Sequence, residues 1–180
     1  MMKKIFYTLA LIAINLTAFA QSEVNWIHFE ELEAKMEKEP RKVLVDVYTK
    51  WCGPCKMMMK STFQDEKVVN YINENYYAVK FNAEGPNPIT FKGKQYSNPD
   101  YDPSRRGRNG THELTYAIAP VNGRVAYPTI VYLDENFKII SPVQGFMQPK
   151  QIEPILKFVG TGAYETTEWA EYQKSFKGEF

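Results

Sequence analysis

The stretch VLVDVYTKWCGPCK (Val43–Lys56) carries the strongest structural signal in this chain of 180 residues. Its first half is a run of β-branched and apolar side chains with little alternation, which is typical of a central strand covered on both faces. Pro54 suits the first turn of a helix, because a proline has no N–H to leave unpaired there. We therefore predict a buried strand over Lys42–Tyr48 and a helix that begins at Gly53 and extends to Tyr76.

Cys52 and Cys55 are the only cysteines in the sequence, and a Gly-Pro pair separates them. A thiol in the first turn of a helix meets unpaired backbone N–H groups and the positive end of the helix dipole, and both stabilise its thiolate. The second sulfur lies one helical turn further on, within disulfide reach. We predict that Cys52 is the attacking nucleophile and that Cys55, deeper in the helix and less exposed, resolves the mixed disulfide.

Three other roles for the pair compete with redox chemistry. A structural disulfide that closes so short a loop would restrict the unfolded chain very little. A zinc site needs two further ligands, and the two histidines, His28 and His112, each stand alone in the sequence. Inert buried thiols would not need Gly-Pro between them. We favour a redox-active Cys52–Cys55 disulfide that works without a cofactor or a metal.

The composition excludes several classes of protein. The chain has 22 Lys and Arg against 21 Asp and Glu, so its net charge of +1 argues against a nucleic-acid binder. Apolar residues make up 44% and aromatic residues 14%, which is ample for a packed core. Two cysteines are too few for a secreted scaffold held together by disulfides.

Residues 1–20 have the layout of a signal peptide. Lys3 and Lys4 precede an apolar stretch over Ile5–Leu16, and small residues follow at Ala18 and Ala20. The alternative is a retained membrane anchor, but the apolar stretch is shorter than the roughly 20 residues that span a bilayer. We predict cleavage near Ala20 and an exported protein, periplasmic or secreted, with no stable membrane insertion.

The remaining pattern predicts one domain over residues 21–180, with a mixed α/β sheet that includes one antiparallel hairpin. A helical extension is expected over 161–180. A short helix capped by Thr111 is expected before the hairpin. The other predicted elements are strands at Trp26–Phe29, Tyr77–Asn82, Thr129–Leu133 and Phe137–Val143, and helices at Glu30–Glu39, Pro149–Val159 and Thr167–Lys177.

Residues 85–110 have a different composition from the rest of the chain. They hold four prolines and four glycines, which predicts an irregular loop. A long loop in a compact domain is usually functional or disordered. Its three arginines suggest an anionic partner, but Asp100 and Asp102 lie nearby, so we favour a solvated loop that neutralises its own charge. The three arginines are Arg105, Arg106 and Arg108.

The segment Val43–Lys56 resembles the active-site strand and helix of the thioredoxin family. The resemblance extends to Tyr127-Pro128-Thr129, which is similar to that family's cis-proline turn, and to Gly145 before the last long helix. It covers roughly Val24–Gly160. It implies a thioredoxin fold, α/β with a central mixed β-sheet flanked by helices, and here residues 85–110 form a loop insertion before the cis-proline strand. It also implies dithiol–disulfide exchange.

The resemblance implies a role for Asp46, the one charged residue in Val43–Tyr48. Family members keep a buried acid six residues before the first cysteine, with a lysine beside it that matches Lys80. A buried carboxylate has a raised pKa and can carry a proton to or from Cys55. The alternative is that Asp46 ends the strand and faces water. Tyr48 departs from the tryptophan common in the family, although it is still a large aromatic.

The resemblance also implies a substrate-binding surface around the cysteines, formed by Trp51, Gly53, Pro54, Tyr127 and Pro128. In the family, the backbone of the residue before the cis-proline pairs with an extended substrate strand beside the reactive sulfur. The alternative for Pro128 is an ordinary proline at a strand edge.

These observations predict an exported thiol–disulfide oxidoreductase, a monomer that reduces disulfides of protein substrates. Gly-Pro between the cysteines lacks the histidine of strongly oxidising relatives, which favours the reductase direction. A reductase in an oxidising compartment needs electrons, and we expect a membrane-embedded relay to supply them. The alternatives are a disulfide oxidase or isomerase, or a thioredoxin-fold binding module that uses the 85–110 loop for contacts.

Overall fold

The computed structural model describes residues 23–180, so the predicted signal segment over residues 1–20 lies outside the described residues. Strands and helices alternate along the first half of the chain, and the second half contains a short helix, an antiparallel pair of strands and two further helices. The strands are β1 (Trp26–Ile27), β2 (Lys42–Tyr48), β3 (Tyr76–Asn82), β4 (Ile89–Phe91), β5 (Lys94–Tyr96), β6 (Thr129–Leu133) and β7 (Ile139–Gln144). The α-helices are α1 (Phe29–Lys38), α2 (Gly53–Lys60), α3 (Glu66–Asn75), α4 (Glu113–Ile118), α5 (Pro149–Gly160) and α6 (Trp169–Ser175).

Five strands form one mixed sheet in the order β1-β3-β2-β6-β7. β1, β3 and β2 are parallel, whereas β6 and β7 are each antiparallel to their neighbours. This architecture confirms the predicted mixed sheet with an antiparallel hairpin. β2 is the central strand, and its carboxyl end leads directly into the cysteine segment.

The side chains of β2 are buried on both faces of the sheet, as predicted. Val43, Val45 and Val47 pack into one core cluster with residues of α1 and α4. Leu44 packs into the other cluster, with residues of α2, α3 and α5. Because side chains alternate along a strand, Asp46 shares the face of Leu44. The acid therefore lies on the side of the sheet that α2 covers.

The predicted single helix over Gly53–Tyr76 is wrong, because the structure breaks it in two. α2 ends at Lys60, a 3₁₀ turn spans Thr62–Gln64, and α3 follows. The buried Thr62 hydroxyl donates to the carbonyl of Met147 at 2.5 Å, which draws the chain away from the α2 axis. The Asp65 side chain then accepts the N–H groups of Lys67 and Val68 and starts a new helix.

Several other boundaries differ from the prediction: β1 ends at Ile27, and Phe29, predicted in that strand, begins α1. His112, not Thr111, caps α4, since its Nδ1 accepts the N–H of Leu114 at 3.2 Å. β7 begins at Ile139 because Phe137 has a φ of 59° and belongs to the turn after β6. Residues 85–110 are not wholly irregular, because β4 and β5 pair through a turn at Lys92-Gly93. Both turn residues have positive φ, 53° and 70°, as a two-residue hairpin turn requires.

The C-terminal extension packs against α5. Aromatic rings of α6 lie on Phe158, with ring centroids 5.2 Å away for Trp169 and 4.9 Å for Tyr172. Glu153, buried in α5, accepts the backbone N–H groups of Glu179 and Phe180. These contacts hold the last residues of the chain against the domain. Within residues 23–180, no helix is both long and apolar enough to cross a membrane.

Candidate functional site

Cys52 and Cys55 form a disulfide at the amino-terminal end of α2. Cys52 is the N-cap residue, and its Sγ accepts the backbone N–H of Cys55 at 3.1 Å. Gly53 and Pro54 form the first turn, and both are exposed. The sulfur of Cys52 thus occupies the position where the unpaired N–H groups and the dipole of a helix favour a negative charge.

The expected difference in exposure between the cysteines is wrong. Cys52 is 2% exposed and Cys55 is 4% exposed, so the disulfide is sheltered at both ends. Hydrogen bonding rather than exposure distinguishes the two sulfurs, because Cys52 Sγ is the one that receives a helix N–H.

Asp46 and Lys80 are register partners on the parallel strands β2 and β3. Lys80 Nζ lies 3.1 Å from Asp46 Oδ2, and Asp46 is 2% exposed. Burial raises the pKa of the Asp46 carboxyl above its ordinary range, and the ion pair with Lys80 offsets part of this rise. The alternative that Asp46 ends the strand in water is therefore wrong.

Lys80 is held in an aromatic environment. Its Nζ lies 4.9 Å from the ring centroid of Trp26 and 4.8 Å from that of Tyr48. The large aromatic at position 48 thus supplies a cation–π contact to the ammonium. Lys80 also lines, together with Cys55, a cavity of about 340 Å³. Lys80 and the second cysteine therefore border a common space that is large enough for water.

The turn before β6 lies beside Trp51. The Tyr127–Pro128 peptide bond is cis, as predicted, and the Tyr127 ring meets the Trp51 ring edge to face at 5.9 Å. Within residues 23–180, the Tyr127 backbone makes no hydrogen bond to another backbone group. Its N–H and carbonyl are free to pair with an extended peptide.

Two residues at the site were missed by the sequence analysis. Both carboxylate oxygens of Glu84 accept the indole N–H of Trp51, at 2.9 Å each. The guanidinium of Arg108 lies over the same indole, 4.4 Å from its ring centroid. Glu84 could have been found, since it follows β3 and parallel strands end at the same edge of a sheet. No local pattern indicates Arg108, because only the folding of residues 85–110 brings it to Trp51.

The arrangement can perform nucleophilic exchange at sulfur. It combines a sulfur at a helix N-terminus, a second sulfur one turn away, a buried acid–lysine pair whose lysine borders the same cavity as the second cysteine, and a free backbone edge at the cis-proline. Together with the five-stranded mixed sheet, these features define the class of thioredoxin-fold disulfide oxidoreductases.

Comparisons with known proteins agree with this class. The family model described as a thioredoxin-like domain matches residues 29–160. A thiol:disulfide interchange protein, DsbD, from Pectobacterium atrosepticum is 26% identical over 149 residues, which cover 78% of this chain but 21% of that protein. The chain thus spans about a fifth of the length of this relative.

Solved structures show the same fold. A thioredoxin-fold protein from Helicobacter pylori is 22% identical, with a TM-score of 0.55 over 75% of this chain and 83% of that one. A putative disulphide-isomerase from Bacteroides thetaiotaomicron is 25% identical, with a TM-score of 0.51 over 83% of this chain and 100% of that one. This chain belongs to the thioredoxin-like family of disulfide oxidoreductases, and it carries the family's pair of cysteines.

Proposed function

We propose that this protein is an exported thiol–disulfide oxidoreductase that reduces disulfides in protein substrates. The observation that carries the proposal is the hydrogen bond from the N–H of Cys55 to the Sγ of Cys52 at the start of α2. In the reduced protein this N–H and the helix dipole favour the thiolate of Cys52, which is the attacking species in disulfide exchange.

The reaction proceeds through a mixed disulfide. The Cys52 thiolate attacks one sulfur of the substrate disulfide, the S–S bond breaks, and the other substrate sulfur leaves as a thiolate. Cys55 then loses its proton and attacks Cys52 Sγ, which releases the first substrate sulfur. Two electrons pass to the substrate, both of its sulfurs end as thiols, and the protein is left with the Cys52–Cys55 disulfide.

Asp46 and Lys80 act on the proton of Cys55. A carboxylate whose pKa is raised by burial is a better base than an ordinary aspartate, and it lies under α2. Lys80 borders the same cavity as Cys55 and is ion-paired to Asp46, which links the two. We assign Asp46 as the acceptor of the Cys55 proton and Lys80 as the residue that positions and tunes it.

The surface around the disulfide receives the substrate. Trp51, Gly53 and Pro54 flank Cys52, and Gly53 and Pro54 are exposed. The free backbone of Tyr127, beside Pro128, would pair with an extended substrate segment. Such pairing recognises main chain rather than particular side chains, which suits an enzyme that acts on more than one protein.

The Gly-Pro pair supports the reductase direction, since it gives no extra stabilisation to the Cys52 thiolate and so none to the reduced form. We expect a potential near thioredoxin's, about −270 mV. Equilibration with glutathione measures this value, and an insulin-reduction assay measures the activity, with Cys52→Ser as the inactive control. A potential above about −150 mV with rapid oxidation of reduced proteins would instead make the protein an oxidase.

The direction of electron flow determines which partners the protein needs. A reductase must be re-reduced after each cycle, and we expect a membrane-embedded dithiol relay to do so, with this protein acting as a monomer. The relative from Pectobacterium is a thiol:disulfide interchange protein, which supports a place in such exchange. Export rests on the sequence of residues 1–20.

Isomerisation is the second candidate. The structure from Bacteroides, a putative disulphide-isomerase, matches along its whole length. Recovery of activity by scrambled ribonuclease separates the two, because an isomerase restores native pairings under conditions in which a reductase leaves free thiols.

A further inference from the structure

Residues 85–110, the insertion, are closed at their base by one side chain. The amide of Asn98 donates to the carbonyl of Gly85 at 3.1 Å and to the carbonyl of Gly110 at 2.8 Å. Asn98 is 7% exposed, so these hydrogen bonds are shielded from water. The two ends of the insertion are thereby held together, and the segment between them is presented as one unit.

A second set of hydrogen bonds fixes the tip of the insertion. The side chain of Asn109 accepts the N–H of Asp102 and donates to its carbonyl, at 2.8 Å each. The Asp102 carboxylate in turn accepts the N–H of Ser104 at 2.9 Å. Residues 102–109 therefore form a loop of defined conformation, and the backbone positions of its arginines are fixed.

This tip lies against the active-site tryptophan. Arg108 covers the Trp51 indole at 4.4 Å, and the insertion shares with the cysteine loop a cavity of about 290 Å³. Lys50 and Trp51 line one side of this cavity, and Arg105 and Asn109 line the other. A polypeptide whose disulfide reaches Cys52 would pass beside this cavity, because Trp51 immediately precedes that cysteine.

The charges around the cavity are predominantly positive. Arg105, Arg106 and Arg108 are exposed. Of these three arginines, only Arg105 has an ion pair within the described part of the chain, with Asp102 at 3.9 Å. The predicted neutralisation within the insertion is confirmed only for the Arg105–Asp102 pair, and residues 102–109 keep a net charge of +2. Residues 47–64 add three lysines and no acid. The acids in this region are Asp100, Asp102 and Glu84, and Glu84 is 9% exposed and accepts the Trp51 N–H.

We propose that Lys50, Arg105 and Arg108, which we term the cationic rim, select disulfide-bearing polypeptides with acidic residues next to the disulfide. The guanidinium groups offer carboxylates bidentate hydrogen bonds, and exposed charges of one sign accelerate the encounter with an oppositely charged partner. The inference rests on the proposed function, since it names the substrate class of that same site. Because the rim is exposed, its effect is on association rate and is screened by salt.

The test uses three short synthetic peptides, each with one intramolecular disulfide, whose flanking residues are all Glu, all Gln or all Lys. The rate at which pre-reduced protein reduces each peptide is measured at low and high salt. We expect the Glu peptide to react about tenfold faster than the Gln peptide at low salt, the Lys peptide to react more slowly, and high salt to remove the difference. Equal rates for all three peptides at low salt would overturn the proposal.

A matched pair of variants localises the effect. Arg105→Gln/Arg108→Gln and Lys92→Gln/Lys94→Gln each remove two positive charges from the insertion, but Lys92 and Lys94 belong to the β4–β5 hairpin. The first variant should reduce the Glu-to-Gln rate ratio to about twofold or less, and the second should leave it unchanged. An equal fall of the ratio in both would show that net charge, rather than the rim, attracts the peptide, and would overturn the assignment.

Binding is read separately from reduction. The oxidised protein is titrated with the reduced Glu peptide, and quenching of Trp51 is followed by subtraction of the Trp51→Phe signal. Salt-sensitive binding of the Glu peptide alone, without reduction of any peptide, would uphold the rim and overturn the reductase function. Reduction of every peptide at the same rate would uphold the reductase and overturn the rim.

Discussion

The indole N–H of Trp51 is held by the carboxylate of Glu84, and both of its oxygens lie 2.9 Å from Nε1. Glu84 follows the end of β3 and is 9% exposed, whereas Trp51 immediately precedes the first cysteine. A residue that follows the strand next to β2 therefore fixes the orientation of the side chain that precedes Cys52. Glu84 is a positioning residue, since it acts through Trp51.

Replacing Glu84 should weaken substrate binding rather than chemistry. Glu84→Ala removes the acceptor of the Trp51 N–H, so the indole is no longer held in a single orientation. We expect the KM for insulin reduction to rise about fivefold with kcat little changed. Glu84→Gln retains an acceptor oxygen and should restore most of the KM. A fall in kcat with an unchanged KM in both variants would mean that Glu84 acts on the sulfur chemistry instead.

The roles of the two cysteines are separated by trapping. Cys55→Ser leaves a competent Cys52 thiolate but no thiol to release the partner, so mixed disulfides with substrates should accumulate and dissolve on reduction. Cys52→Ser should trap far less, because the helix N–H shown at this site is donated to Cys52 Sγ. Non-reducing gels and mass spectrometry measure both. Stronger trapping by Cys52→Ser would reverse the assigned roles, and trapping by neither would favour a binding module.

Asp46→Asn tests the proton acceptor. An amide cannot take the Cys55 proton, so release of the mixed disulfide should slow on the order of 100-fold. In the wild type this rate should rise with pH through the raised pKa of Asp46, and the variant should lose that dependence. Asp65→Asn is the control, because asparagine caps a helix as well as aspartate does. An unchanged rate for Asp46→Asn would exclude the proton-carrying role.

The same substitution has a consequence for stability. Burial raises the pKa of Asp46 in the native state above its unfolded value, so the native state binds the proton more tightly. The stabilisation linked to that proton is complete below the unfolded pKa and is lost as pH rises through the native pKa. The free energy of unfolding of Asp46→Asn, measured by urea denaturation, should therefore increase relative to that of the wild type as pH rises over this range. If this difference in the free energy of unfolding instead decreases as pH rises, the ion pair with Lys80 outweighs the desolvation of the Asp46 carboxylate.

Asn98→Ala should release the insertion. The carbonyls of Gly85 and Gly110 lose their donor, and we expect a loss of about 1–3 kcal/mol in stability together with faster tryptic cleavage at the arginine tip. Gly110→Ala should act similarly, because a Cβ there would lie 2.5 Å from the Asp100 carbonyl carbon. Asn87→Ala, at an exposed position in the same segment, is the control. Equal cleavage in all three would show that Asn98 does not hold the segment.

The N-terminal prediction is tested by expression in a Gram-negative host. If residues 1–20 are a cleaved signal, the protein recovered from the periplasm should begin at Gln21. Intact-mass measurement distinguishes this from a chain that still carries Met1. Full-length protein in the membrane fraction would identify residues 1–20 as a retained anchor.

The sequence by itself determined the central strand, the helix after it and the redox pair. An apolar run without alternation is typical of a strand buried on both faces, and Pro54 after Cys52 suits the first turn of a helix. Short stretches of chain were therefore enough to predict both elements. Asp46 was found because a charge within such a run conflicts with its surroundings. The break after Lys60 was missed because it depends on a hydrogen bond from Thr62 to Met147, far along the chain, whereas the cap at Asp65 is local and was overlooked.

Tertiary structure alone decided what surrounds the tryptophan beside Cys52. The contacts of Trp51 with Glu84 and Arg108 join segments that no local period or spacing connects. They depend on the register of β3 against β2 and on the closure of residues 85–110 by Asn98. Local sequence encodes backbone conformation, cap chemistry and periodicity. Which charged side chain lies on which ring is decided only when distant parts of the chain pack together. The free energy of such a contact depends on both segments and cannot be assigned to either one alone.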